Sequence, residues 1–90
     1  MKRIYKYSVP IEDLFEIELP LNAQILDIQL QHNNPVMWAL VDPDQETEVK
    51  QFSVFGTGEI MSPMSYEQYQ YIGTFQQPPY VWHVFEIVKA

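Results

Sequence analysis

Phe15-Glu16-Ile17-Glu18-Leu19-Pro20 alternates apolar with acidic residues and stops at a proline. A period of two puts Phe15, Ile17 and Leu19 on one face and Glu16 and Glu18 on the other. This is the pattern of a half-buried β-strand with an acidic outer face. On its C-terminal side, Leu26, Ile28 and Leu30 alternate with Asp27, Gln29 and Gln31, which predicts a second strand of the same kind. On its N-terminal side, residues 3–9 alternate, with Tyr5, Tyr7 and Val9 on one face and Lys6 and Ser8 on the other, and Pro10 ends the run.

The rest of the chain follows the same grammar. His32-Asn33-Asn34-Pro35 predicts a turn, because Asn tolerates left-handed angles and Pro fixes φ. Residues 36–41 are apolar throughout, as expected of a central strand covered on both faces. Asp42-Pro43-Asp44-Gln45 predicts a turn. Residues 48–55 predict a strand with Lys50, Phe52 and Val54 on one side and Val49, Gln51 and Ser53 on the other. Ser62-Pro63 opens a segment, 62–69, that reads as a short helix or a structured loop. Residues 70–76 and 80–88 predict two further strands around a Gln77-Pro78-Pro79 turn. The expected fold is all-β: one domain over residues 1–90, an antiparallel sandwich or small barrel of six to seven strands.

Charge narrows the partners. From Tyr7 through Val49 the chain has nine acidic residues and no Lys or Arg, and the net charge is −7. A fixed negative face repels phosphate backbones and attracts basic surfaces, so direct nucleic-acid binding is not expected. No apolar run approaches the ~18 residues that would span a bilayer. The absence of Cys removes disulfides and thiolate metal sites, and suits a reducing compartment. A domain of this size buries little surface on its own, so a homo-oligomer, most simply a C2 dimer, is expected.

No constellation of residues supports catalysis, a cofactor or a metal. Glu16 and Glu18 stand roughly 7 Å apart along one strand face, but carboxylates so placed more often form a wet surface than an acid–base pair. Asp42, Asp44, Glu46 and Glu48 lack the central Gly of a Ca²⁺ loop, and Pro43 interrupts them. His32 and His83 have no ligand partner at metal spacing. Gly56-Thr57-Gly58 can form an anion-cradling nest of backbone N–H groups, although a tight turn is the commoner use of such a pair. Tyr66, Tyr69, Tyr71, Tyr80 and Trp82 supply large amphipathic side chains of the kind found at interfaces. The expected protein-binding surface therefore comprises Glu16, Glu18, Asp44 and Glu46 with Tyr66 and Tyr69, and Gly56, Thr57 and Gly58 are the alternative, anion-binding site.

The succession of segments also resembles a family. Lys2-Arg3-Ile4-Tyr5-Lys6-Tyr7 precedes Phe15-Glu16-Ile17-Glu18-Leu19-Pro20 and Ala23-Gln24-Ile25-Leu26. Trp38-Ala39-Leu40-Val41-Asp42-Pro43, Phe55-Gly56-Thr57-Gly58, Tyr71-Ile72-Gly73-Thr74-Phe75-Gln76 and Val84-Phe85-Glu86 follow. Together they resemble a family of small proteins of unknown function from tailed bacteriophages and prophages, over almost the whole chain. The resemblance implies a phage accessory protein in the host cytoplasm and carries no catalytic residues with it. The function expected is non-catalytic binding that inhibits a host anti-phage factor through a basic surface of that factor. A different class of reading is an oligomeric sponge that sequesters a nucleotide immune signal. A virion structural or assembly factor is a third.

Overall fold

A computed structural model describes residues 1–61 and 68–88. Among the described residues there are seven strands: β1 (Arg3–Ser8), β2 (Leu14–Pro20), β3 (Gln24–Gln31), β4 (Asn34–Val41), β5 (Thr47–Gly56), β6 (Tyr69–Gln77) and β7 (Tyr80–Ile87). They form two antiparallel sheets, one of order β1-β4-β3 and one of order β2-β5-β7-β6. The expectation of an all-β antiparallel fold of six to seven strands holds, with seven strands among the described residues arranged as a small sandwich. The short helix or loop considered for 62–69 falls largely on residues 62–67, outside the described residues.

The core lies where the two inner faces meet. Phe15, Leu19, Phe52, Val54, Phe75 and Val84 come from the four-stranded sheet; Ile28, Met37, Ala39 and Val41 come from the three-stranded one. Phe15 stands opposite Phe52 in the β2–β5 ladder, and their rings stack at 5.1 Å. The β2 alternation therefore reads as predicted: Phe15 and Leu19 are buried, Ile17 is packed against the core, and Glu16 and Glu18 are exposed. Burial of Tyr7, and secondly the neighbouring Tyr5 phenol, pushes the Tyr7 phenol above its usual pKa.

Two expectations are corrected. In β3 the register shifts between Ile25 and Asp27, so Leu26 is the extra residue of a bulge. The insertion resets the parity: Ile25 faces Ala39 and packs against the core, while Leu26 is exposed. In β4 the apolar run is not covered on both faces by a second layer. Met37, Ala39 and Val41 are buried in the core, but Val36, Trp38 and Leu40 share the opposite, outward parity. Val36 is buried there because Lys6 Nζ reaches from β1 across β4 to Gln31 Oε1 on β3, at 2.7 Å.

The turns explain themselves locally. Gln31 pairs with Asn34, leaving His32 and Asn33 as a two-residue hairpin loop, both with positive φ (51° and 64°). That is the backbone of a type I′ turn, for which Asn is well suited. Pro78-Pro79, joined by a cis bond, closes the β6–β7 hairpin. The sheets approach most closely where β3 lies over β6, and Gly73 sits at that point. A Cβ on Gly73 would overlap Cγ2 of Ile28, so only glycine lets the two strands come together there.

Candidate functional site

The outer face of the four-stranded sheet carries Glu16, Glu18, Tyr69, Tyr71 and His83 of the residues singled out above. Its cross-strand rows follow from the ladder registers. One row reads Glu16, Gln51, Ile87, Tyr69 from β2 to β6. The next reads Leu14, Ser53, Phe85, Tyr71. A third holds Phe55, His83 and Thr74. Glu18 and Val49 face outward one row beyond Glu16 and Gln51. The acidic residues of β2 and the tyrosines of β6, far apart in sequence, therefore share one surface, with β5 and β7 between them in the sheet.

Aromatic packing dominates the middle of this face. Phe85 meets Phe55, Tyr69 and Tyr71 edge-on, at ring separations of 5.9, 6.0 and 5.6 Å. Phe55 also meets Tyr69 edge-on at 5.6 Å. Edge-to-face contacts of this kind align positive ring edges with negative ring faces. Ser53 is only 5% exposed and Phe55 9% exposed although both point away from the core. Tyr71 is 57% exposed and stands at the rim. Beside the cluster a groove of about 310 Å³ runs between Leu14, Phe55, Ile60 and Tyr69, with the carboxylates of Asp13 and Glu59 along it.

A chain of side-chain hydrogen bonds borders the rings. The Tyr71 hydroxyl lies 2.6 Å from Thr74 Oγ1, which lies 2.9 Å from His83 Nδ1. His83 Nε2 lies 2.7 Å from Thr57 Oγ1. Both ring nitrogens of His83 are thus occupied by hydroxyls, which donate or accept as the tautomer requires. His83 acts here as a fastener between β6, β7 and the 56–58 turn. His32 is in the β3–β4 turn, on the other sheet.

The remaining predicted residues fall at the ends of this face or away from it. Asp44 and Glu46 are exposed in the turn that leads into β5, next to Thr47, whose hydroxyl donates to Glu18. Asp42 is half-buried, accepts the Asp44 N–H and lies 3.8 Å from the terminal amine of Met1. Glu48 and Lys50 point the other way, and Lys50 forms ion pairs with Glu48 at 3.8 Å and with Glu86 at 3.4 Å. Tyr66 lies outside the described residues. Among the described residues no cluster of His, Asp and Glu is arranged to hold a metal.

The Gly56-Thr57-Gly58 segment is a turn whose donors are mostly taken. The Gly56 N–H donates to Glu59 Oε1 at 2.9 Å, and the Thr57 N–H donates to the Val81 carbonyl at 3.1 Å. Gly58 has φ of +88°, the left-handed backbone that glycine adopts without penalty. A carboxylate of the chain itself therefore occupies one donor that an anion would use.

Phe55 and Phe85 anchor the cluster, yet sequence reasoning did not single them out. The signal was available in strand parity. Val49, Gln51, Ser53 and Phe55 alternate away from the core residues Phe52 and Val54, and Phe85 alternates away from Val84. Among curated proteins and among solved structures nothing matches this chain. Residues 1–90 match the family described as Domain of unknown function (DUF7352), and the chain belongs to that family.

Proposed function

We propose that this chain is a non-catalytic binding protein that docks the outer face of its four-stranded sheet onto a basic protein surface. The row Glu16, Gln51, Ile87, Tyr69 carries this reading, because it joins an acidic edge to an aromatic anchor on one face. Acids at the β2 edge and in the 44–46 turn speed encounter with a positively charged partner. The ring cluster and the groove beside it provide contact area at low entropic cost, the usual basis of an interface hot spot. In the setting that the sequence resemblance suggests, the chain is a phage accessory protein in the host cytoplasm. Its partner there is a host anti-phage factor with a basic patch.

The nucleotide-sponge reading draws less support. Its expected cradle at Gly56, Thr57 and Gly58 has two backbone donors engaged and the Glu59 carboxylate in place. A like-charged group at that position opposes a phosphate.

Tagged full-length chain is incubated with host lysate, and bound proteins and small molecules are identified. Wild type is compared with Glu16→Lys/Glu18→Lys. A partner whose association slows at least tenfold in the variant, and whose on-rate in wild type falls with salt, supports the proposal. Retention of a nucleotide with no protein partner would replace it with the sponge. Equal capture by wild type and the charge-reversed variant would refute the role of this face.

A further inference from the structure

The outer face of the three-stranded sheet has a different chemistry. Its rows, from β1 through β4 to β3, read Ile4, Leu40, Gln24; then Lys6, Trp38, Asp27; then Ser8, Val36, Gln29. The central column, Leu40, Trp38 and Val36, is apolar, and no second layer of the described residues covers it. Ile4 is 61% exposed beside it, and Leu26 is 46% exposed at the bulge. The central row has a cation on one flank and an anion on the other, with an indole between them.

We infer that this face is a self-complementary dimer surface, built for a second copy of the chain related by a two-fold axis parallel to β4. Two sheets packed face to face lie about 10 Å apart. A two-fold axis midway between them and along β4 turns β1 of one copy onto β3 of the other. Lys6 then faces the partner's Asp27, and Asp27 faces the partner's Lys6. Trp38 and Leu40 meet their own counterparts on the axis. An axis in the same plane but perpendicular to the strands instead sets Lys6 against Lys6 and Asp27 against Asp27. Electrostatics therefore selects the first arrangement over the second.

The two charges are free to make this exchange. Among the described residues neither Lys6 nor Asp27 has an ion-pair partner. Lys6 donates to the neutral amide of Gln31. Asp27 accepts from the Ile28 N–H at 2.8 Å and from Gln29 Nε2 at 2.7 Å, both neutral donors. A charged partner makes a stronger hydrogen bond than a neutral one. Lys6 also shields Val36, a task that a packed second copy takes over.

Three strands spaced ~4.8 Å apart form a narrower face than the ~800 Å² per partner of a standard interface. The dimer is accordingly a weak one, with dissociation in the micromolar range or above. It stacks the two protomers back to back, so both four-stranded faces remain open on opposite sides. The dimer is thereby bivalent for whatever those faces bind.

Sedimentation equilibrium of the full chain, from low micromolar to near-millimolar concentration, tests the inference. Wild type passes from the mass of one chain to that of two and levels off there. Lys6→Glu alone and Asp27→Lys alone each weaken association at least tenfold, and an equimolar mixture of the two variants regains it. Both substituted residues are exposed, and an unfolded variant could not be rescued by mixing. Trp38→Ser weakens association without altering charge. A wild type that stays at one chain throughout, or growth past two chains, overturns the inference. So do single variants that associate like wild type, or a mixture that fails to recover.

Discussion

The two outer faces of this sandwich are both rich in apolar side chains, yet they are organised in opposite ways. On the four-stranded sheet the apolar groups are rings that pack on each other, and the charge beside them is of one sign. On the three-stranded sheet a single apolar column has opposite charges on its two flanks. A face with one sign of charge rejects its own copy and selects a partner of the other sign. A face carrying both signs about a two-fold axis accepts its own copy. Under the two proposals above, the same physical ingredients direct one face toward a foreign protein and the other toward a second copy.

The sharpest break in that comparison comes from truncating the central aromatic of each face. Phe85→Ala removes three ring contacts at once. Partly buried aromatics with that many neighbours cost about 3 kcal/mol when cut to Ala. Trp38 is half-buried and has no ring neighbour among the described residues, so Trp38→Ala costs about 1 kcal/mol of monomer stability. Urea denaturation at a concentration too low for self-association measures both. Equal losses would mean that the Phe85 cluster is no more a packed unit than the outward column of β4.

Gly73→Ala tests whether the two faces belong to one cooperative unit. The added methyl has to displace Ile28, a fully buried core residue, where β6 lies over β3. Overpacking of this kind costs about 2 kcal/mol. The expected outcome is a lower urea midpoint with an unchanged slope, because both sheets unfold together. A lower slope or two separate transitions would show that the faces melt independently.

What could be read in the sequence follows from where alternation is unambiguous. Phe15 to Leu19 admits only one inward parity, and the structure has it. Ile25-Leu26-Asp27-Ile28 admits two, since either Ile25 or Leu26 satisfies an inward position, and a bulge cannot be seen in a run of apolar residues. β4 is apolar at every outward and inward position, so its pattern cannot say whether a layer or a second copy covers the outward side. The candidate site was legible in part. Glu16, Glu18 and Tyr69 were found from composition and parity, but their meeting on one face depends on the strand order β2-β5-β7-β6, which is a long-range property. The His83 bonds to Thr57 and Thr74 depend on the same order and left no local mark.

The smallest effect concerns the inner side of the three-stranded sheet. Tyr7 stands opposite Met37 in the β1–β4 ladder and packs against the core, while its neighbour Lys6 faces outward. Burial first, and Tyr5 second, raises the Tyr7 phenol above its ordinary pKa near 10. The unfolded chain therefore gives up this proton at a lower pH than the folded chain does. Between the two values the folded state binds more protons, and stability falls as pH rises. The contribution is complete below about pH 10 and is lost as pH climbs through the folded value. Tyr7→Phe has no proton to lose, so its stability relative to wild type should rise across that alkaline window and stay constant from neutral pH up to it. Urea midpoints of the two proteins, measured in parallel at neutral pH and at a series of alkaline pH values, read the difference directly. A gap between them that is the same at every pH would show that the Tyr7 phenol ionises as freely in the fold as in the unfolded chain.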